Sequence, residues 1–64
     1  MKEFTIELVY SDNSSSFFKV SVDGEEYEYR ALLSMITRGT LMASMAKSAV
    51  CWNDEGFDVC SYVR

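Results

Sequence analysis

Residues 3–10 read Glu-Phe-Thr-Ile-Glu-Leu-Val-Tyr, an alternation of apolar and polar side chains. A period of two predicts a β-strand with one buried face, here the face of Phe4, Ile6 and Leu8. The intervening residues, Glu7 among them, point to the other face. We therefore expect this segment to be the first strand of an antiparallel sheet around which the rest of the chain folds.

A second alternation comes after a polar run rich in serine, and it is followed by Asp23-Gly24. This dipeptide is a strong hairpin signal, because a type I′ turn needs positive φ at both central residues. Closing the turn predicts a third strand over residues 25–29, with Ile6 opposite Val20 across the first turn. The three strands would share a buried face made by Phe4, Ile6, Leu8, Phe18, Val20, Val22, Tyr27 and Tyr29.

The period of the sequence changes after residue 31. Apolar or small residues then recur at the spacing of one helix face: Leu32, Met35, Ile36, Gly39, Met42, Ala43 and Ala46. This stripe predicts one helix over about residues 30–47, with Gly39 marking a close approach of helix to sheet. A pair of helices divided at Gly39 is the alternative. Met45, together with Leu33 and Leu41, lies beside the stripe and is expected to be exposed.

The last segment predicts a hairpin whose turn is Asn53–Gly56, because asparagine and glycine suit the two ends of a type I turn with a G1 bulge. One face of that hairpin would carry Ala49, Cys51, Phe57, Val59 and Val63, and the other Val50, Trp52, Asp58, Cys60 and Tyr62. Cys51 and Cys60 then point to opposite faces and stay reduced. A two-residue turn at Glu55-Gly56 would instead place them directly opposite each other.

Together these patterns predict a single α+β domain over residues 1–64. Its antiparallel sheet has about five strands in the order β-β-β-α-β-β, with one helix packed on one face. A domain of 64 residues must use nearly all of its apolar side chains for its core, so little remains to line a ligand cavity.

The composition points away from catalysis. Histidine is absent, which removes the commonest general base and the usual metal ligand. Two cysteines cannot complete a tetrahedral thiolate zinc site, and three scattered glycines make no phosphate-binding loop. We therefore expect no enzyme activity, no catalytic residues, no metal and no cofactor.

The charge balance favours a protein partner. Ten acidic residues outnumber six scattered basic ones, for a net charge of −4, so we expect neither direct nucleic-acid binding nor attraction to a membrane. An acidic chain is attracted to a basic surface. The N-terminal residues lack the apolar run of a secretory signal, and free thiols suit a reducing compartment. We expect a cytoplasmic protein that is a monomer or a weak homodimer.

Several aromatic and acidic side chains fall on the sheet face that the helix would leave open. Aromatic anchors surrounded by polar side chains are typical of protein-binding patches. The residues expected to contact the partner are Glu7, Phe17, Glu26, Glu28, Trp52, Asp58 and Tyr62.

In size, acidity and strand–helix layout, the whole chain resembles small phage-encoded inhibitors of host defence, the anti-CRISPR proteins among them. Carboxylates such as Glu25-Glu26 and Asp54-Glu55 belong to this resemblance. It implies a non-enzymatic inhibitor in the host cytoplasm that masks a basic, nucleic-acid-binding surface by presenting carboxylates where phosphates would sit. Two alternatives stay open: an assembly module that self-associates through a sheet edge or the Trp52 face, and a redox or small-molecule protein using Cys51 or Cys60.

Overall fold

The computed structural model describes residues 1–64 and contains four strands and one helix. The elements are β1 (Lys2–Val9), β2 (Ser15–Val22), α1 (Glu26–Ala43), β3 (Ser48–Trp52) and β4 (Asp58–Val63). All neighbouring strands are antiparallel, in the spatial order β2-β1-β3-β4. The helix covers one face of the sheet, chiefly over β3 and β4. The predicted α+β class is confirmed, whereas the sheet has four strands instead of about five.

Strand β1 lies inside the sheet and follows the predicted alternation. Its residues Phe4, Ile6 and Leu8 are buried beneath the helix. The faces predicted for β2 are also confirmed, but Ile6 lies opposite Phe18, so the predicted pairing with Val20 is wrong by two residues. A short turn between the strands accounts for the shift, because a step of two residues changes partners without changing faces.

The segment after Gly24 begins the helix and does not form the predicted third strand. The Glu28 carboxylate accepts the Glu25 backbone N–H at 3.0 Å, and the Glu25 side chain accepts a backbone N–H of the first turn in return. This reciprocal capping box satisfies two amide donors that a helix N-terminus otherwise leaves unpaired. As a result, Tyr27 is largely exposed, and Tyr29 packs against the core from the helix.

Helix α1 starts earlier and ends earlier than the predicted range of 30–47. It runs unbroken through Gly39, which favours the single-helix prediction over the divided one. Apart from the two adjacent residues and the backbone of the helix itself, no atom lies within 4 Å of where a Cβ on Gly39 would stand. The close approach predicted for this glycine is therefore wrong, because it faces away from the sheet.

The helix buries a different stripe from the predicted one. Its buried residues are Leu33, Thr37 and Leu41, spaced by four. The side chains of Met35 and Met42 are 68% and 63% exposed, so their assignment to the core is wrong. Leu32 is also exposed, as is Met45, the latter as predicted. Leu33 and Leu41, predicted to lie beside the packed stripe, are instead buried directly over the sheet.

The β3–β4 turn has the predicted type, but the strand after it contains a bulge. The Asn53 N–H donates to the Phe57 carbonyl at 2.9 Å, and Gly56 has φ +83. Trp52 then pairs with Asp58, while Cys51 pairs with Cys60, so one extra residue lies on β4. This bulge reverses the predicted faces of β4 beyond it. Cys60 and Tyr62 consequently lie beneath the helix, and Val63 lies on the open face.

Candidate functional site

The sheet face without helix cover, called the open face here, carries part of the predicted patch. Glu7, Phe17 and Trp52 lie on it, and Asp58 pairs with Trp52 across the hairpin. Phe17 is 64% exposed. The Trp52 indole N–H donates to Glu7 Oε1 at 3.1 Å, which fixes the ring against the neighbouring strand. The open face therefore presents an oriented aromatic side chain next to a carboxylate.

The remaining predicted contact residues lie elsewhere. Tyr62 lies on the helix-covered face, where its hydroxyl hydrogen-bonds to Ser34 and the Arg38 guanidinium carbon is 6.0 Å from its ring centroid. Its place on the open face was wrong because of the bulge on β4. Glu26 and Glu28 are in the first turn of the helix, so their assignment to a strand on the open face is also wrong.

The carboxylates are segregated toward one end of the molecule. The end formed by the start of β1, the end of β2, the start of α1 and the β3–β4 turn carries eight of the ten acidic residues. We call it the acidic end; its acidic residues are Glu3, Asp23, Glu25, Glu26, Glu28, Asp54, Glu55 and Asp58. The opposite end holds Lys47 and Arg64, where the helix finishes.

A cleft of about 220 Å³ opens at the acidic end, between the first turn of α1 and the β3–β4 turn. Its lining residues are Lys2, Phe4, Glu26, Tyr29, Asn53, Asp54, Glu55 and Val59. The Lys2 ammonium nitrogen is 5.8 Å from the centroid of the Tyr29 ring. The cleft already holds one cationic group, and carboxylates with an aromatic face suit such a group chemically.

Sequence reasoning did not bring Glu26 together with Asp54 and Glu55. The available signal was the spacing of Glu25 and Glu28, which matches the acidic half of a capping box and places a helix start beside the final turn. With that start recognised, both pairs of carboxylates lie at one end of the sheet. They then flank the same cleft.

A small polar cluster lies under the helix, away from the acidic end. The Cys60 thiol donates to Thr37 Oγ1 at 3.4 Å, and Cys51 is buried directly opposite Cys60. Burial raises the pKa of Cys51 to about 11, and the neighbouring Cys60 adds to the effect. A thiol held neutral in this way is a poor nucleophile and a poor metal ligand.

No group of three or more His, Cys, Asp or Glu side chains is placed to hold a metal ion. The helix is not apolar enough over its length to cross a membrane. Comparisons with protein-family models, with curated proteins and with solved structures give no match for this chain.

Proposed function

We propose that this chain is a non-enzymatic protein-binding inhibitor whose acidic end masks a basic surface of a larger partner. The observation that carries the proposal is the segregation of eight of the ten acidic residues to one end of the molecule. A uniform charge of −4 would only keep a small domain soluble. A concentrated negative end also steers and orients the approach of a positively charged surface.

The open face supplies an apolar contact next to these charges. Trp52 is the last residue of β3 and directly precedes the turn that carries Asp54 and Glu55. Its indole is held by Glu7 and remains only partly buried. A rigid aromatic ring beside carboxylates can act as the desolvated centre of an interface, while the charges set orientation and association rate.

The cleft at the acidic end provides a receptor for one basic side chain of the partner. An arginine or lysine entering it would meet the Glu26, Asp54 and Glu55 carboxylates and the Tyr29 ring. Lys2 occupies that position in the free protein and would move aside. The partner surface is therefore basic and projects at least one long cationic side chain.

Such a surface is typical of nucleic-acid-binding proteins, whose lysines and arginines neutralise phosphates. Carboxylates at the acidic end would occupy these cations and exclude the nucleic acid. This mode of action is the one implied by the resemblance to anti-CRISPR proteins, and the inhibitor would act in the host cytoplasm.

The proposal is tested by carbodiimide cross-linking in a native lysate, because this reagent joins carboxylates to lysines directly. Isosteric neutralisation by Asp54→Asn and Glu55→Gln should weaken capture of the same partner in a pull-down without the reagent. That comparison is needed because the variant also removes two of the carboxylates that the reagent activates. The turn should survive, since the side chain of Asn53, and neither carboxylate, accepts its backbone N–H groups.

A matched control separates local charge from net charge. Ser11→Lys with Met45→Lys changes the net charge by the same amount at exposed positions of the opposite end. This control should keep the partner, and Trp52→Ala should weaken capture of the same protein. If the control loses the partner as fully as the neutralised variant, the acidic end is not the contact.

A further inference from the structure

We propose that two copies of this chain associate through strand β2, so that their sheets join across a two-fold axis at Phe18. This inference goes beyond the proposed function, because it uses neither the cleft nor the β3–β4 turn. It rests on the free edge of β2, on partly exposed apolar residues beside that edge, and on a register that places Phe17 opposite Lys19 of the second copy.

Strand β2 is a regular edge strand of eight residues without proline, and Lys19 is its only charged residue. Charged residues, prolines and bulges are the usual devices that stop an edge from pairing. The other edge, β4, contains a bulge and an acidic first residue, and β2 has neither a bulge nor an acid. Edge pairing is therefore favoured at β2.

The hydrogen-bond pattern of the β1–β2 hairpin fixes which backbone groups are free. The Tyr10 N–H donates to the Ser14 carbonyl at 2.9 Å, so Ser14 turns its backbone groups toward β1. Because the pattern alternates along an antiparallel pair, the even-numbered residues of β2 bond to β1. The odd-numbered residues, which include Phe17 and Lys19, point their N–H and C=O groups outward.

The residues beside this edge are incompletely covered. The helix packs mainly over β3 and β4, so Phe18 and Val20 of β2 are only partly buried. On the open face, Phe17 is 64% exposed. Apolar surface thus remains on both sides of one edge strand, and a neighbouring strand would bury it.

Two copies of β2 related by a two-fold axis pair antiparallel. The outward N–H and C=O groups of odd-numbered residues can then bond only to those of odd-numbered residues in the second copy. A two-fold axis at Phe18 places Phe17 opposite Lys19 of the second copy, twice by symmetry. The Lys19 side chain can then lie against an aromatic ring. A two-fold axis at Lys19 would pair a similar number of residues of the two β2 strands. It would, however, place the two Lys19 ammonium groups opposite each other, which is unfavourable.

The ends of the paired strands carry charges of both signs in this arrangement. Asn13, whose side chain accepts the Lys47 ammonium at 3.0 Å, comes level with Asp23 of the second copy. Asp23 therefore lies beside both Lys47 and Asp12 of the other copy, which largely offset each other. The pairing of Phe17 with Lys19, made twice by the two-fold axis, identifies a second copy, and not an unrelated strand, as the occupant of the edge.

The test is sedimentation velocity at concentrations from micromolar to millimolar. The expected result is a reversible rise in mass from 7.3 kDa toward twice that value. Phe17→Lys should raise the dissociation constant by roughly tenfold, because it opposes Lys19 of the second copy twice. Phe17→Glu creates opposite-charge pairs at the same positions and should preserve the dimer.

A second variant probes the backbone directly. Ser21→Pro removes an outward N–H that the monomer does not use and should abolish the dimer while circular dichroism stays native. Neutralising Asp54 and Glu55 should leave the dimer unchanged, so this test is independent of the proposed function. A monomer at every concentration would overturn the proposal. Equal dissociation constants for the Phe17→Lys and Phe17→Glu variants would also overturn it. So would the finding that the edge of β2 pairs with a different protein and not with a second copy of this chain.

Discussion

Cys51 and Cys60 face each other across β3 and β4, and both side chains lie beneath the helix. The Cys60 thiol donates to Thr37, the only polar residue buried in the protein. This cluster depends on the bulge between the β3–β4 turn and Cys60. Without that extra residue, Cys60 would point to solvent, and the buried Thr37 hydroxyl would lose the hydrogen bond that this thiol donates.

The buried thiol makes folding stability sensitive to alkaline pH. The folded-state pKa of Cys51 is about 11, compared with an ordinary value of 9.0, so the stabilisation is fully present below pH 9.0. It is lost as the pH rises toward 11, at about 1.4 kcal/mol per pH unit, for a total of roughly 2–3 kcal/mol. Urea unfolding between pH 9 and pH 11 should show this fall in the free energy of unfolding, and the fall should be smaller in the Cys51→Ala variant. An equal fall in the wild type and the variant would mean that titratable groups other than Cys51 cause it.

The two thiols should differ in their accessibility to reagents. Cys60 is partly exposed and Cys51 is fully buried, so iodoacetamide should modify Cys60 first and Cys51 only through unfolding. Mass spectrometry of timed samples measures both rates. We still expect the native protein to be reduced, although the structure removes the argument that the thiols point apart. A mass lower by two hydrogens, located at this pair, would contradict that expectation.

Removing a side chain from the centre of the core should be costly. Ile6 is completely buried between the sheet and the helix, so Ile6→Ala should lower the free energy of unfolding by about 2–5 kcal/mol. Val9→Ala, on the open face of the same strand, should cost much less. Chemical denaturation of both variants gives the comparison. Similar losses would mean that the covered face of β1 is misassigned.

The start of the helix should depend on one carboxylate in particular. Glu28→Ala removes the acceptor of the Glu25 N–H and should cost about 1 kcal/mol. Glu26 lies in the same turn but outside the capping box. Glu26→Ala therefore removes only a favourable interaction with the helix dipole, worth a few tenths of a kcal/mol to about 1. Thermal unfolding should therefore rank Glu28→Ala as the less stable variant. The reverse order would argue against the capping box.

The faces of β1 and β2 could be predicted because strict alternation of apolar residues leaves only one face suitable for burial. The helix start was missed because Tyr27 and Tyr29 continue a period of two after a glycine, as a hairpin would. The capping residues Glu25 and Glu28 were the competing local signal, and their hydrogen bonds prevail in the structure.

The phase of the helix and the face of Tyr62 could not be read from hydrophobicity. A stripe through Met35 and Met42 has greater apolar content than the one that includes Thr37, yet Thr37 is buried and accepts a hydrogen bond from the Cys60 thiol. That partner is available only because of the bulge on β4. No local sequence pattern predicts the bulge. The sheet face on which Cys60 and Tyr62 lie could therefore be determined only from the structure.

We propose that the acidic end makes the contact with a basic partner. Amide chemical-shift mapping of the isotope-labelled protein with the captured partner locates this contact. The perturbed residues should cluster in the first turn of α1, at Trp52 and in the Asn53–Gly56 turn. Perturbations confined to the opposite end, around Lys47 and Arg64, with an unchanged acidic end, would contradict it.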